Sequence, residues 1–234
     1  PKAPAQPMMN NTAPAVLDSV RLLLRRLPPG LRLALVTRTD PPLPLARLRA
    51  SGQLAELRGA DLRFTLEETA ALLAEIAGVD VPASAVAQLH ERTEGWAAGV
   101  QLAALSLRGN PDPAGFVATF CGSHRYVMDY LTEEVLARQT EDVVSFLLET
   151  SVLERLCGLV CDALTGRTDG QETLERLDAA GLFLIPLDEE RQWWRYHQLF
   201  ADLLRVRLQH ERGERARDLH RAAAAWHEEH GFPD

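Results

Sequence analysis

The amino-acid sequence predicts a mainly α-helical chain that opens with the tail of an α/β domain and later contains a winged helix. Three observations predict this fold. An unbroken apolar run at 33–36, between a proline–glycine turn and a pair of prolines, is typical of a strand buried in a parallel sheet. From Thr65 onward, apolar residues recur at helical spacing. Within 140–200, three short helical segments precede two strand-like segments, which is the order of a winged helix.

The tail of the α/β domain is predicted to cover residues 1–59. Residues 1–13 are expected to be a loose, proline-rich leader, after which Pro14 suits the first position of a helix. The buried strand at 33–36 follows that helix. A parallel strand needs neighbours, and the only other candidate strand is 54–57. We therefore expect an incomplete sheet, as in a chain that begins partway through a domain.

Residues 60–139 are predicted to form an all-helical bundle. Thr65 and Glu68 make a capping box, because each side chain can accept the backbone N–H of the other at the start of a helix that runs to Gly78. Further helices are predicted from Pro82 to Gly95, from Trp96 to Leu107, and over about 114–121 and 125–138.

Residues 140–200 are predicted to form the winged helix, and residues 201–234 a final helical segment. Thr140 caps the first helix of the winged helix; the other two cover about 159–164 and 171–180, and the strands cover 182–185 and 192–196. Two helices over about 198–211 and 214–230, with Gly213 between them, close the chain.

The lysine content excludes two kinds of active site. Of the 25 basic residues, 24 are arginine, and the single lysine is Lys2 in the proline-rich leader. A phosphate-binding P-loop needs a lysine between a glycine-rich turn and a helix, and Schiff-base chemistry needs a lysine as well. If the protein binds ATP, its phosphate-binding loop lies outside this chain.

Charge and cysteine content set further limits. The net charge of −8 argues against nucleic acid wrapping the whole chain, which would need a basic surface. Three cysteines are too few for a disulfide framework and suit a reducing, cytoplasmic setting. The leader has no apolar core of a signal peptide, and no run of about 18 apolar residues is present, so we expect no membrane contact.

Several segments, in order and at plausible spacing, carry a resemblance to a known family. They are 35–38, 61–65, 93–102, 122–126 and 195–202, which read LVTR, DLRFT, TEGWAAGVQL, GSHRY and RYHQLFAD. From about residue 14 to the end, the chain resembles the large ATP-binding LuxR-type transcription regulators of the maltotriose-responsive activator type. These are signal-transduction ATPases with numerous domains.

The resemblance implies a domain layout. Such regulators carry a P-loop ATPase core, a helical arm, a winged helix, a tetratricopeptide-like sensor and a C-terminal helix-turn-helix. By this resemblance, 1–59 is the last part of the ATPase core, 60–139 is the arm, 140–200 is the winged helix and 201–234 starts the sensor. The chain would then be the middle fragment of such a regulator.

The resemblance also implies nucleotide-binding residues. Arg38, which follows the predicted strand, is similar to the sensor arginine that reads the terminal phosphate. His197 is similar to the histidine that holds the diphosphate of bound ADP. The alternatives are an Arg38 paired with Asp40, and a His197 satisfied by a local carbonyl or by Asp202.

The segment at Gly95 resembles a glycine-x-proline element whose proline packs on the adenine. Here Ala97 stands where the proline is expected, so only weak contacts from Gly95 and Ala97 are implied. Packing of Trp96 in a hydrophobic core is the alternative interpretation.

Other chemically suggestive residues give weak signals. Ser123 lacks the Gly-x-Ser-x-Gly elbow of a hydrolase and suits a helix cap. Cys121 with His124, and Cys157 with Cys161, match no common zinc spacing. We therefore predict neither catalytic nor metal-binding residues.

The winged helix is acidic, with 11 acidic residues against 5 arginines over 142–200. Its third helix carries Glu172, Glu175 and Asp178, which would repel phosphates. Direct DNA binding by this domain is thus the weaker of two rival hypotheses. The other rival is a nucleotide-independent interaction scaffold.

The resemblance implies a function for the intact protein. It would be an ATP-dependent transcription regulator that uses ATP or ADP with Mg²⁺, responds to a small-molecule or protein inducer, self-associates when active and binds DNA through a domain outside this chain. This chain would be no enzyme and would not bind ADP tightly by itself. Whether the intact protein hydrolyses ATP slowly as a switch stays open.

Overall fold

The computed structural model describes residues 14–28, 30–37 and 40–230. The first seven α-helices found in them are α1 (Pro14–Arg25), α2 (Leu45–Ala50), α3 (Leu66–Ala77), α4 (Ala83–Thr93), α5 (Ala97–Leu107), α6 (Pro113–Thr119) and α7 (Arg125–Glu134). After a 3-10 turn (Leu136–Arg138), the order is α8 (Glu141–Thr150), α9 (Gly158–Thr165), α10 (Gly170–Ala179), β1 (Leu184–Pro186), β2 (Trp194–Tyr196) and α11 (Gln198–His230). The prediction of a mainly helical chain is confirmed.

The buried strand predicted at 33–36 does not form. Residues 31–37 have no strand structure, and Leu35 and Val36 are 47% and 99% exposed. The second candidate strand, 54–57, is also irregular. A parallel strand is stable only beside another strand. Among the residues that the structure describes, no strand lies next to this segment. Helix α1 forms as predicted.

The helical arm comprises α3 to α7 and is held by one apolar core. The predicted capping box is present: the Glu68 N–H donates to Thr65 Oγ1 at 3.2 Å, and the Thr65 N–H donates to Glu68 Oε2 at 2.8 Å. Leu73, Leu89 and Val100 are buried where α3, α4 and α5 meet. The arm is therefore a packed bundle, as the helical periodicity predicts.

The winged helix comprises α8 to α10 and the hairpin β1–β2. The two strands pair antiparallel with Leu184 opposite Tyr196 and Pro186 opposite Trp194. Trp194 is fully buried, and its backbone also pairs with Leu156 ahead of α9. The predicted winged helix is confirmed.

The two predicted final helices are present and meet at a kink, and we label them together as α11. Its backbone leaves helical geometry at Arg212 (φ −144°, ψ 49°), beside the Gly213 at which a break is predicted. Leu204 is buried in the first half, and Leu219 and Trp226 are buried in the second. Over the part of the chain that the structure describes, no helix has the length and apolarity to cross a bilayer.

Candidate functional site

Two of the segments that carry the family resemblance meet in space. The first, Thr93–Trp96, links α4 to α5 in the arm, and the second, Arg195–Gln198, links β2 to α11. Hydrogen bonds between them join residues more than 100 positions apart. We call this contact the arm–wing joint.

The arm contributes a tight left-handed turn to the joint. Helix α4 ends with Glu94 and Gly95 at φ of 49° and 69°, a conformation that glycine adopts without steric cost. The Phe64 N–H donates to the Gly95 carbonyl oxygen at 2.8 Å. A Cβ at Gly95 would lie 2.5 Å from the Phe64 carbonyl oxygen, so only glycine fits here. The turn is thereby fixed by backbone contact on one side.

Glu94 is the electrostatic centre of the joint. Its carboxylate accepts hydrogen bonds from both Nη atoms of Arg195 at 2.8 Å and from the Gln198 N–H at 3.0 Å, and Arg63 lies 3.5 Å away. Burial alone would raise the pKa of this carboxyl, but the Arg195 and Gln198 hydrogen bonds lower it to about 2. Because Gln198 is the first residue of α11, the arm supplies a negative charge to that helix N-terminus.

His197 is buried beside this ion pair, with only 5% of its surface exposed. Its ring Nε2 lies 2.9 Å from the Thr93 carbonyl oxygen, and its backbone N–H donates to the Phe183 carbonyl oxygen. A carbonyl oxygen only accepts, so Nε2 carries the proton. Nδ1 is buried and has no hydrogen-bond partner. Burial lowers the pKa of the imidazole, which favours the neutral form.

Trp96 closes the apolar side of the joint. Its ring makes an edge contact with Phe183 at 5.1 Å between centroids and a tilted contact with Tyr130 at 5.6 Å. It also contacts the His197 ring edge-on at 5.9 Å. These are the geometries that aromatic pairs favour. Trp96 is partly buried and packs against the hydrophobic core, close to the alternative interpretation given from the sequence.

The structure brings three of the four sequence-predicted residues to one place. His197 and Gly95 belong to the joint, and Ala97 starts α5 directly after it. The fourth, Arg38, lies outside the described residues. Its alternative partner, Asp40, forms an ion pair with Arg58.

Neither partner considered for His197, a local carbonyl or Asp202, is found: the carbonyl that its Nε2 contacts belongs to Thr93, 104 positions away. Asp202 instead accepts a hydrogen bond from the Gly122 N–H at 3.2 Å. A Cβ at Gly122 would lie 1.9 Å from the Leu199 carbonyl oxygen, so this glycine allows the arm to approach α11 closely. This second contact supports the joint from the other side.

Sequence reasoning missed Glu94 and Arg195. No local pattern marks them, because each is one of many charged residues and their partner lies 101 positions away. The Glu94–Gly95 pair gives a partial signal, since a helix that ends before glycine often does so in the left-handed conformation.

Ser123 does not cap a helix: His124 precedes α7 without a side-chain cap, and Ser123 Oγ lies 2.9 Å from Cys121 Sγ. The remaining suggestive residues serve packing. His124 lies against the Phe116 and Phe120 rings at 5.3 Å, and burial lowers its pKa. Cys157 and Cys161 are buried, which raises the pKa of both thiols. Among the residues described, no group of three or more His, Cys, Asp or Glu side chains could hold a metal ion.

Comparison with known proteins identifies relatives of this segment. Residues 132–216 match the model of the MalT winged helix domain. The chain is 42% identical over 190 residues to the serine/threonine-protein kinase PknK of Mycobacterium tuberculosis, a match covering 81% of this chain and 17% of that protein. It is 35% identical over 228 residues to the HTH-type transcriptional regulator MalT of Klebsiella pneumoniae, covering 97% of this chain and 25% of that regulator.

A MalT regulator of Yersinia enterocolitica gives a similar result, with 36% identity over 226 residues, covering 95% of this chain and 25% of the relative. The chain thus spans between about a sixth and a quarter of the length of these relatives. Over nearly its whole length, it is similar to a part of MalT regulators, and it contains a segment that matches their winged helix domain.

Proposed function

We propose that this chain is a signal-coupling segment of a longer, ATP-dependent bacterial transcription regulator of the LuxR type, within the class of signal-transduction ATPases. The observation that carries the proposal is the arm–wing joint, in which His197 and the Gly95 turn meet. Similarity to MalT regulators over 95–97% of the chain supports it. In the longer protein, the joint would report the nucleotide state to the rest of the molecule.

The chemistry of His197 sets a condition on nucleotide sensing. With its Nε2 proton donated to the Thr93 carbonyl, a neutral ring offers only an acceptor at Nδ1, which cannot donate to a phosphate. A nearby diphosphate would stabilise the imidazolium, whose Nδ1–H then becomes a donor. The buried and unpartnered Nδ1 fits this role. Arg38 would contact the terminal phosphate, and Gly95 and Ala97 would lie toward the adenine.

The N-terminal segment has apolar side chains for which a longer protein would provide cover. Leu22 in α1 is 56% exposed, and Leu35 and Val36 are exposed as well. Paired with further strands of a P-loop ATPase core, 33–36 would become the buried strand that its sequence favours. Residues 201–234 would begin a tetratricopeptide-like sensor. In such an array, each repeat buries the apolar face of its neighbour, so further repeats would cover the end of this segment.

The remaining properties of the intact protein follow from this assignment. ATP or ADP with Mg²⁺ would bind mainly through a P-loop outside this chain. The active form would self-associate in the cytoplasm, in response to a small-molecule or protein inducer. DNA would bind through a separate helix-turn-helix, and any ATP hydrolysis would be slow and would act as a switch.

A protein kinase is the second candidate for the intact protein. The 42% identity to the kinase PknK over 81% of this chain favours it. In that case, the same arm and winged helix would control phosphoryl transfer instead of DNA binding. The role of this segment, which is to couple a regulatory state to a separate output domain, is the same in both candidates.

The test uses the protein encoded by the complete reading frame, with ADP binding measured by calorimetry at pH 6 and pH 8. His197→Ala should weaken ADP binding by about tenfold or more, because a charge-assisted hydrogen bond is lost. The wild type should bind ADP more tightly at pH 6, and this pH dependence should vanish in the variant.

His124→Ala is the matched control, because His124 is also a packed histidine with an unpartnered Nδ1, at a site in the arm outside the joint. Equal ADP affinity in wild type and His197→Ala would contradict the proposal. If the complete reading frame encodes no P-loop, or if the protein it encodes does not bind ADP, the nucleotide-independent scaffold would be favoured.

A further inference from the structure

Three arginines of α11 contact helix α8 of the winged helix or the residue that follows it. In the first half of α11, Arg205 Nε donates to the Ser151 carbonyl oxygen at 2.8 Å. Arg212, at the bend, donates to Ser145 Oγ at 2.9 Å. These arginines therefore contact the winged helix and do not only line a solvated helix face.

Glu149 is the acidic residue that two of these arginines, Arg212 and Arg215, share. Its carboxylate lies 3.6 Å from Arg212 and 3.0 Å from Arg215, and only 15% of its side chain is exposed. Arg215 also donates to the Leu164 carbonyl oxygen at 3.0 Å, in the last turn of α9. One carboxylate thus contacts the arginine at the bend and the arginine that begins the second half.

The Gly213 at which the sequence predicts a break does not by itself fix the direction of the bend. The helix contains no proline, and Gly213 does not adopt the left-handed conformation. A Cβ at Gly213 would meet only the flexible Gln209 side chain, at 3.2 Å. The residue with non-helical backbone is Arg212, whose side chain contacts Ser145 and Glu149 of α8.

We propose that Glu149, Arg212 and Arg215 form a clamp by which the winged helix fixes the direction of the second half of α11. Any helical array that continues from α11 would leave the winged helix in the direction that this clamp sets. The use of the clamp in signalling rests on the proposed function. The clamp itself does not depend on nucleotide, so its failure and the failure of the proposed function are distinguishable.

The test measures distances between spin labels on this chain by pulsed electron paramagnetic resonance, without nucleotide. Labels at exposed Glu172 and Arg217 span the bend, and labels at Glu172 and Val206 report the first half of α11 as an internal reference. A Cys121→Ser background limits labelling to the introduced cysteines, because the two other native cysteines are buried.

Glu149→Ala should shift or broaden the distance distribution between 172 and 217 and leave that between 172 and 206 unchanged. The double variant Arg212→Gln, Arg215→Gln should do the same. Glu211→Gln is the control, because it removes the local pair with Arg207 on the same helix and leaves the clamp intact.

Circular dichroism identifies the variants that fold. If Glu149→Ala does not fold, the double variant decides the test. Wild-type distributions in the folded variants would overturn the proposal. The apolar packing of Leu219 and Trp226 would then be what sets the bend.

Discussion

Glu94 and Arg195 form a bidentate ion pair, with both nitrogen–oxygen distances at 2.8 Å, across 101 positions of the chain. The same carboxylate accepts the Gln198 N–H and so caps α11 from a distant part of the chain, the turn between α4 and α5. A capping residue normally precedes its own helix. Here the cap is tertiary, so this hydrogen bond at the start of α11 forms only while the arm and the winged helix are in contact.

The first prediction follows from this cap. Glu94→Gln should lower the free energy of unfolding by about 2 kcal/mol, because the Arg195 guanidinium loses its charged partner in a partly buried site. Glu91→Gln is the control on the same helix, since Glu91 is exposed. Urea unfolding measures both, and equal stabilities would contradict a stabilising role for the cap.

The same pair predicts a dependence on pH. The pKa of Glu94 falls from its ordinary value of 4.5 to about 2 in the folded chain, so its contribution is present above about pH 4.5 and is lost as the pH falls toward 2. The stability of the wild type should therefore fall more steeply in this range than that of Glu94→Gln. Parallel curves would show that Glu94 is not a stabilising group.

The second prediction concerns the turn that presents Glu94. Gly95→Ala should destabilise the chain by roughly 2–4 kcal/mol, because it adds left-handed strain to a clash with the Phe64 backbone. Gly78→Ala isolates the first effect: Gly78 has a similar φ of 65° with nothing within 4 Å of a Cβ, and its substitution should cost about 1 kcal/mol. Equal thermal unfolding of the two variants would show that the Phe64 contact adds nothing.

Local chemistry made much of the fold predictable from sequence. The Thr65–Glu68 capping box and the Gly78 stop involve residues within one or two turns of each other, so their spacing along the chain carries the information. The same holds for the winged helix, whose helices and hairpin follow in sequence. These elements match their predicted positions to within a few residues.

Contacts between distant segments were not predictable in this way. The strand at 33–36 has the right composition, but strand formation depends on a neighbour that the described residues do not supply. For His197, the sequence does not indicate the partner, because that partner is the Thr93 carbonyl, which any residue type would present. The Glu149 clamp could not be predicted from sequence for the same reason, because nothing in the local sequence distinguishes its arginines from ordinary surface charges.

The third prediction addresses direct DNA binding by the winged helix. This chain should not bind duplex DNA at physiological salt, because exposed Glu172 and Glu175 on α10 repel phosphates. A gel-shift assay at low and at physiological salt measures this. Replacing both residues with arginine should increase non-specific binding, which confirms that the assay responds to charge. Salt-dependent binding by the wild type would instead support the DNA-reader hypothesis.

The fourth prediction concerns His197 in the absence of any ligand. Burial lowers its pKa in the folded chain, whereas the unfolded chain keeps the ordinary value of 6.5. Above pH 6.5, both states are neutral and His197 adds no pH dependence. Below it, the unfolded state binds the proton first, so stability should fall with decreasing pH, by up to about 1.4 kcal/mol per pH unit for one proton.

Thermal unfolding between pH 7 and pH 5 measures this dependence. His197→Gln should remove part of it, and His124→Gln another part, because burial lowers the pKa of His124 as well. His220→Gln, at an exposed position, is the control for the substitution itself. If His197→Gln keeps the full wild-type slope, the folded chain already accommodates the imidazolium at Nδ1. A diphosphate would then gain nothing from protonating it, and the pH-dependent nucleotide sensing proposed for this residue would lose its physical basis.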